Sequence, residues 1–501
     1  MTAGCPNVMN AESTRENSVK YWRAGNNPSI AKHLPAVMKT MNKEERNKFV
    51  IPLPMWMWRF IPHLHFTPHH YLLKNDKARM IFDAKYRHDA MAIAINMMTS
   101  DASETELECQ FGRAKLQLLI RVWNLRITYP YHDIVLHAND VKSCFRQLKH
   151  HPDVMGAFSY ILGDFLFLRC GLTFGSDFSP ATWEVVRRIA EQLAEAFFED
   201  KSLVKKHRKH IDKLRWRQDL GSKKAQFTRA RACALNPGVL DTNGKPASTP
   251  HAFFVDDDIY SEVFVVDRIE QAVAASIEAI FVLLGESDLL ARQDSISFDK
   301  MEDMMVSYYN QILGQVINTR KMTVETPPAY VSQVVKDLER HWHPKRKSVS
   351  IPEIESLTGQ LGHISDTAPW LRFLLGQLYM SLAVALGFAR AHLICTSKDF
   401  RMLLKQCAPP GKAPSATPLA GEIKEGLERS FALSTTAKKV HHSNRPVRIN
   451  KSLKRELRLI RLALASEWVS MSRPIGHFVP REPRGTGWAD SCLLAAGGLQ
   501  H

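Results

Sequence analysis

The residues whose types and spacing most clearly suggest chemistry are three consecutive aspartates, Asp256 to Asp258. They lie in the stretch His251 to Tyr260, which reads HAFFVDDDIY. Apolar residues precede them and a β-prone run from Ile259 to Val266 follows, a pattern that predicts strand, tight turn, strand. Carboxylates at a hairpin tip repel one another unless water or a cation separates them, and adjacent oxygen ligands suit Mg²⁺. For this segment alone, an acidic turn facing solvent is the alternative interpretation.

Another aspartate closes a second predicted strand. The run IVLHANDV, Ile134 to Val141, is apolar and β-prone, and Asp140 lies at its end. Carboxylates on adjacent strands can hold two Mg²⁺ ions about 4 Å apart, an arrangement that serves phosphoryl transfer. In such a pair, one ion activates an attacking hydroxyl and the other bears the charge of the leaving pyrophosphate.

The segments before the acidic hairpin predict elements that could position these carboxylates. The run that begins HHYLLKND at His69 predicts a strand pair with a polar turn, and residues 157–162 and 165–170 predict a hairpin. A glycine-bearing loop follows, in which Ser179 is the expected N-cap and Pro180 the first residue of a long amphipathic helix.

The segments after the acidic hairpin predict a helix, a hairpin and then a helical region. Asp267 is the expected cap of the helix, and Gly285 ends it. Residues 312–326 alternate like a short hairpin, and residues 331–470 have helical patterns. The Pro/Gly-rich residues 408–418 are the expected linker.

The composition predicts an intracellular protein with polyanionic partners. A formal net charge of +16 over 501 residues favours nucleic acid first and an anionic membrane surface second. The eight cysteines are scattered, without zinc spacing, as in a reducing compartment. The longest uncharged run, Phe373 to Ala389, contains polar residues and predicts a buried helix, so no membrane is expected as a partner.

Five ordered motifs resemble those of the reverse transcriptases of retroelements. DVKSCF (140–145) resembles the first palm motif, and LTFGSDFSPA (172–181) resembles the loop and helix that support template and nucleotide. FVDD (254–257) resembles the Tyr-x-Asp-Asp box, with Phe for Tyr. KARMIFD (77–83) is similar to the fingers segment that grips the triphosphate, and LGQVINTRKMTV (313–324) is similar to the primer-grip hairpin.

The resemblance implies a right-hand polymerase fold of class α+β, with fingers, a palm built on an antiparallel sheet, and a helical thumb or connection. The domains it implies are an N-terminal extension (1–60), fingers (61–135), palm (136–326, with a basic insertion at 199–250), thumb or connection (327–475), and the truncated start of a ribonuclease H-like domain (476–501).

The resemblance also implies the residues of a two-Mg²⁺ catalytic site. Asp140, Asp256 and Asp257 would be the metal ligands, because the aromatic-x-Asp-Asp frame then places Phe254 correctly. The pair Asp257–Asp258 stays open as an alternative. Lys300 would protonate the departing pyrophosphate, with a solvated helix lysine as the alternative.

Further residues would contact the nucleotide. Phe145 aligns with the aromatic that excludes a ribose 2′-hydroxyl, which favours DNA synthesis, and a core aromatic is the alternative. Val141 lies beside Asp140 in the same motif. Phe174 occupies a place where retroviral enzymes carry Gln, and Gly175 would allow close backbone approach to the nucleotide.

Basic residues complete the implied substrate contacts. Arg79 would form a bidentate contact with the triphosphate, and Lys77 would bind beside it. A surface strand arginine is the alternative interpretation of Arg79. The basic residues of 199–250 would bind the template–primer backbone, with Trp216 as a stacking platform. A solvated charge run is the equal alternative.

The activity implied is that of an RNA-directed DNA polymerase of a retrotransposon, in the cytoplasm or nucleus, which binds an RNA/DNA template–primer and dNTPs. The segment WADSCLLAAGGL resembles the first strand of ribonuclease H, with Asp490 as a metal ligand, and predicts that the chain is cut from a larger polyprotein. An inactive nucleic-acid-binding remnant and, less favoured, an RNA-templated RNA polymerase are the alternatives. The sequence leaves the oligomeric state open.

Overall fold

A computed structural model of the chain describes most of the sequence. The described residues are 15–74, 77–88, 92–98, 112–176, 178–221, 251–288, 293–343, 345–396, 447–466, 470–479, 487–491 and 496–500. The turn predicted at residues 75 and 76, most of the basic segment and the linker predicted at 408–418 lie outside them.

Within these ranges the chain mixes helices and antiparallel strand pairs. The strands are β1 (Val50–Pro54), β2 (His69–Lys74), β3 (Lys77–Phe82), β4 (Ile134–Asp140), β5 (Ser159–Leu162), β6 (Phe165–Arg169), β7 (His251–Phe254), β8 (Asp257–Val263), β9 (Ser287–Asp288), β10 (Gln293–Asp294), β11 (Tyr309–Ile312), β12 (Gln315–Asn318), β13 (Thr323–Glu325), β14 (Ser348–Val349), β15 (Val447–Arg448), β16 (Ser472–Pro474), β17 (Gly487–Ser491) and β18 (Ala496–Gln500).

The helices fall into two groups, one around the sheets and one toward the C-terminal part of the chain. They are α1 (Arg15–Ala24), α2 (Pro28–Lys32), α3 (Leu34–Arg46), α4 (Ile95–Met98), α5 (Arg113–Thr128), α6 (Cys144–Gln147), α7 (Phe178–Phe197), α8 (Ser202–Lys206), α9 (Arg208–Ile211), α10 (Val266–Leu284), α11 (Phe298–Asp303), α12 (Pro328–His341), α13 (Ile351–Ser365), α14 (Gly376–Thr396) and α15 (Lys451–Ala465).

The sheet that matters most for the site has the order β4-β8-β7, and both of its faces are covered. Side chains of a strand alternate between faces. Ile134 and Leu136 of β4 therefore join Ile259 of β8 in a core with α5 and the strands β11 to β13. Val135 and Tyr260 point the other way, into a core with α7 and α10. Burial on both faces explains why β4 is almost wholly apolar until its last residues.

Two further sheets flank this one. The order β1-β6-β5 brings Val50–Pro54, from the predicted N-terminal extension, into register with β6, so the end of that extension is part of a sheet with residues of the predicted palm. The order β11-β12-β13-β16 shows that residues 312–326 belong to three strands rather than the two expected. Residues 319–322 lie between β12 and β13 as a second turn, which the alternating pattern could not distinguish from strand.

Helices α12, α13, α14 and α15 share a separate hydrophobic core. Helix α14 covers most of the uncharged run from Phe373, but the expectation of a buried helix is only partly correct. Leu375 and Leu378 are buried, whereas Phe373 is 88% exposed and Val384 is 51% exposed. No helix among the described residues is long and apolar enough to cross a bilayer.

Two predicted helix starts differ by a residue or two from the structure. Helix α7 begins at Phe178, so Ser179 lies inside its first turn rather than at the cap. Helix α10 begins at Val266, so Asp267 is a first-turn acid that interacts favourably with the helix dipole. The predicted end at Gly285 is confirmed, with φ of 90°.

The C-terminal strands β17 and β18 pair as an antiparallel hairpin, in which Asp490 lies opposite Gly497. The sequence indicated a strand here. The assignment to ribonuclease H and the domain boundaries stay predictions.

Three buried histidines predict that the fold is acid-sensitive. Burial lowers the pKa of His65, His137 and His150 to about 3. In the unfolded chain each would titrate near 6.5, so protonation favours unfolding as the pH falls from 6.5 toward 3. Each site then removes up to about 1.4 kcal/mol per pH unit from the free energy of unfolding. Urea unfolding at pH 7, 6 and 5 should show a falling midpoint.

Removing one buried histidine tests its contribution. His150→Gln should flatten the pH dependence of the unfolding midpoint by about one histidine's share. A midpoint that stays constant between pH 7 and pH 5 would contradict the prediction.

Candidate active site

Three of the predicted aspartates meet at one end of the β4-β8-β7 sheet. The register of β4 and β8 sets Asp140 directly opposite Asp257. Asp256 lies in the turn between β7 and β8, and its carbonyl oxygen accepts a hydrogen bond of 2.7 Å from the Val141 N–H. Opposed residues of antiparallel strands point to the same face, so pairing brings the carboxylates of Asp140 and Asp257 together.

The third aspartate of the run, Asp258, points to the opposite face and is fully buried. There its carboxylate accepts a hydrogen bond from the Ser276 hydroxyl and lies 3.0 Å from the His251 Nδ1 atom. Asn139 in turn donates to Ser276 Oγ at 2.9 Å. Asp258 therefore lies on the opposite face of the sheet from Asp140 and Asp257, because period-two alternation separates neighbours in a strand. This placement favours the pair Asp256–Asp257 over Asp257–Asp258, and the choice of ligands stays a prediction.

Charge repulsion and burial raise the pKa of both turn aspartates. For Asp257 burial is the main cause, followed by the charges of Asp256 and Asp140, and the pKa rises to about 6. Burial and then Asp140 raise the pKa of Asp256. Carboxylates held together against their mutual repulsion favour a nearby cation, which is typical of functional sites.

Lys300 supplies one such positive charge. Its ammonium donates to Asp140 Oδ1, and the Ser297 hydroxyl donates to Asp140 Oδ2 at 2.6 Å. The segment reaches the site because Ile296 bridges to Val141 and the Ser297 N–H donates to the Asp140 carbonyl. Partial burial lowers the pKa of Lys300, but the bond to Asp140 and the surrounding carboxylates raise it overall. Lys300 therefore carries its proton at neutral pH.

The described residues contain no group of three or more Asp, Glu, His or Cys side chains arranged to hold a metal ion as they stand. The predicted ligands converge on one edge of the sheet, and the Lys300 ammonium pairs with one of them. The prediction of two Mg²⁺ ions stays a prediction.

The aspartate turn has a strained backbone. Val255 has φ of 53°, which for a β-branched residue costs of order 1–3 kcal/mol. The indole N–H of Trp183, in α7, donates to the Val255 carbonyl at 2.6 Å. Sequence reasoning missed both Trp183 and Ser297. A tryptophan on the buried face of a helix was the available signal, because its N–H needs an acceptor.

Aromatic rings lie beside the aspartates. Phe145 is 5% exposed and belongs to the core, and the ring of Phe174, 55% exposed, lies 4.8 Å from it at 61°. This burial agrees with the interpretation of Phe145 as a core aromatic, and its role against a ribose 2′-hydroxyl stays a prediction. The Val141 side chain is buried, so only its backbone faces the turn.

Gly175 makes a close approach within the chain, and its approach to a nucleotide stays a prediction. Its φ is 100°, and a Cβ there would lie 2.7 Å from the Phe82 carbonyl oxygen of β3. The close approach joins the loop to β3, the strand that carries Lys77 and the exposed Arg79. The structure thus connects the predicted triphosphate strand to the loop, and shows no side-chain placement for Lys77.

Several cations in the described part of the basic segment form ion pairs within the chain. Lysines and arginines of α8, α9 and the following turn pair with acids of α10, of α11 and of the residue after Gly285; the pairs are Lys206–Glu278, Arg208–Glu270, Lys209–Glu286 and Lys213–Glu302. The side chains of Lys206, Lys209 and Lys213 are still more than half exposed, and their binding to a template–primer stays a prediction. Trp216 is partly buried against Phe264, and its role as a stacking platform stays a prediction as well.

No family model matches the chain, and no curated protein matches it. Solved structures that match include the foamy viral protease-reverse transcriptase dRH with double-stranded DNA (TM-score 0.39, 12% identity, 86% of this chain and 51% of that one).

The same foamy viral protein also matches in complex with an RNA/DNA hybrid (TM-score 0.40, 12% identity, 79% of this chain and 36% of that one) and with dsDNA (0.40, 13%, 81% and 58%). The chain thus spans between about a third and three fifths of the length of these structures. Likeness of this degree carries no conclusion about fold or activity.

The Gly175 contact yields a stability prediction. Gly175→Ala should lower the free energy of unfolding by about 2–4 kcal/mol, because it adds a clash with Phe82 to an unfavourable φ. Gly163→Ala is the matched control, since Gly163 has φ of 60° and nothing within 4 Å of a Cβ. It should cost only about 1 kcal/mol. Equal losses in urea unfolding would show that the close approach does not matter.

Proposed function

We propose that the chain is an RNA-directed DNA polymerase that extends a primer 3′-hydroxyl with dNTPs. The observation that carries this proposal is the convergence of Asp140, Asp256 and Asp257 at one edge of the β4-β8-β7 sheet, where burial and mutual repulsion raise the pKa of Asp256 and Asp257. A retrotransposon origin, with a ribonuclease H-like segment at the C-terminal end, belongs to the same proposal.

The donor set fits Mg²⁺. Carboxylate oxygens are the ligands that this ion prefers, and a divalent cation would relieve the repulsion that raises the pKa of Asp257. Asp140, Asp256 and Asp257 would hold two ions. Bound Mg²⁺ would supply positive charge beside the primer hydroxyl and the departing pyrophosphate.

The chain's own residues have separate tasks in this proposal. Lys300 holds a proton at Nζ next to Asp140, from where it would protonate the pyrophosphate. Arg79 and Lys77 of β3 would bind the triphosphate. Phe145, with Phe174 against it, would leave too little room for a 2′-hydroxyl, which selects deoxynucleotides.

Replacing Asp257 tests the role of the carboxylates. Asp257→Asn should reduce dTTP incorporation on poly(rA)/oligo(dT) to background, because a neutral amide cannot replace the charge that holds a cation. It should not lower the unfolding midpoint, and a gain of about 1 kcal/mol is expected from the relief of repulsion. Asp153→Asn, at an exposed acid outside the site, is the matched control.

Two outcomes would contradict the proposal. If Asp257→Asn incorporates dTTP like the unaltered chain, the carboxylates are not catalytic. If the unaltered chain binds an RNA–DNA hybrid with strong salt dependence but incorporates nothing, the inactive nucleic-acid-binding protein is the correct alternative.

Sugar selectivity tests the role of Phe145. Phe145→Val should raise the use of rUTP relative to dTTP by about tenfold or more, which corresponds to about 1.4 kcal/mol of lost discrimination. The ratio of the two kcat/KM values serves as an internal control for loss of active protein. An unchanged ratio would assign Phe145 to the core alone, and a preference for rUTP in the unaltered chain would favour an RNA polymerase.

A further inference from the structure

We propose that Trp183 is a positioning residue that fixes the aspartate turn and the Phe145 ring in one arrangement, an inference that rests on the proposed polymerase function. Trp183 lies in α7 and is 2% exposed. Its indole Nε1 donates to the Val255 carbonyl at 2.6 Å. Val255 directly precedes Asp256, so this bond acts on the backbone from which the two turn carboxylates project.

The turn needs external support because its backbone is strained. A β-branched residue at positive φ, as at Val255, persists only where the surrounding structure holds it. Two successive carbonyl groups of this turn are held from different elements. Trp183 of α7 binds the carbonyl of Val255, and the Val141 N–H binds that of Asp256.

The same indole contacts the ring expected to face the sugar. The rings of Phe145 and Trp183 lie 6.3 Å apart at 83°, an edge-to-face arrangement. The Phe145 ring also contacts the ring of Phe174, so the three aromatic residues Phe174, Phe145 and Trp183 contact one another in sequence. Exposure falls from 55% at Phe174 through 5% at Phe145 to 2% at Trp183. Trp183 therefore links the Phe145 ring to the carboxylate turn.

Trp183 makes both contacts with one side chain. Phenylalanine at position 183 would keep an aromatic ring near Phe145 but would remove the donor to the Val255 carbonyl. Leucine would keep apolar bulk and remove both the donor and the ring edge. The two substitutions therefore separate the hydrogen bond from the ring contact.

The kinetic test compares Trp183→Phe with Trp342→Phe. Trp342 is 9% exposed and lies in the separate core of α12 to α15, so it controls for loss of a largely buried indole. Trp183→Phe should lower kcat for dTTP about tenfold, the effect of one lost hydrogen bond in the turn, with KM for the template–primer unchanged. Trp183→Leu should in addition lower the dTTP/rUTP selectivity, which Trp183→Phe should largely keep.

A double-mutant cycle tests the link to backbone strain. Glycine adopts positive φ without penalty, so in a Val255→Gly background Trp183→Phe should lower kcat by a smaller factor than in the unaltered chain. Equal factors would show that the indole does not act through the strained turn.

Hydrogen exchange provides a measurement that does not depend on catalysis. Amides of residues 251–263 should exchange faster in Trp183→Phe than in the unaltered chain, and not in Trp342→Phe. If the unaltered chain incorporates no nucleotide, the polymerase proposal fails and this measurement still decides whether Trp183 holds the turn. The inference is overturned if Trp183→Phe behaves like Trp342→Phe in exchange, or if it lowers only the unfolding midpoint while kcat and selectivity stay the same.

Discussion

The antiparallel register of β4 and β8 is the constraint on which the site depends. Because opposed residues share a face, setting Asp140 against Asp257 also sets Asn139 against Asp258 on the other face. One face concentrates carboxylates and leaves their repulsion only partly compensated by Lys300. The other face satisfies Asp258 with Ser276. A shift by a single residue would exchange these environments, so the two apolar cores that cover the sheet also fix which carboxylates share a face.

Apolar packing and hydrogen bonds from distant elements offset the unfavourable free energy of bringing the like-charged carboxylates together. Ile134 and Val135 anchor β4 from opposite faces, each in its own core. Bonds to backbone groups then fix the turn, from Val141 on one side and Trp183 on the other. Carboxylates held together in this way lower the stability of the fold, as is common at functional sites.

Sequence patterns predicted the individual elements better than their partners. Local sequence patterns predicted three elements: the strand ending at Asp140, the β2–β3 pair and the helix ending at Gly285. Alternation, turn residues and a C-terminal glycine are signals that depend only on neighbouring residues. The bond from Trp183 to Val255 spans 72 residues, and the pairing of Lys206 with Glu278 also spans 72. Periodicity shows which face is buried, but it does not show what lies against it. The role of Asp258 followed only once β8 was known to begin at Asp257.

The ion pairs between α8–α9 and α10 determine where on the chain positive charge is neutralised. Glu270 and Glu278 of α10 lie beside Arg208 and Lys206 as counterions. The formal charge of +16 already counts these glutamates, so the excess positive charge is carried by residues outside these pairs. Exposed pairs of this kind are weak and are screened by salt. The acidic face of α10 would therefore weaken nonspecific binding of polyanions. A phosphate chain must displace Glu270 or Glu278 before it can pair with these cations.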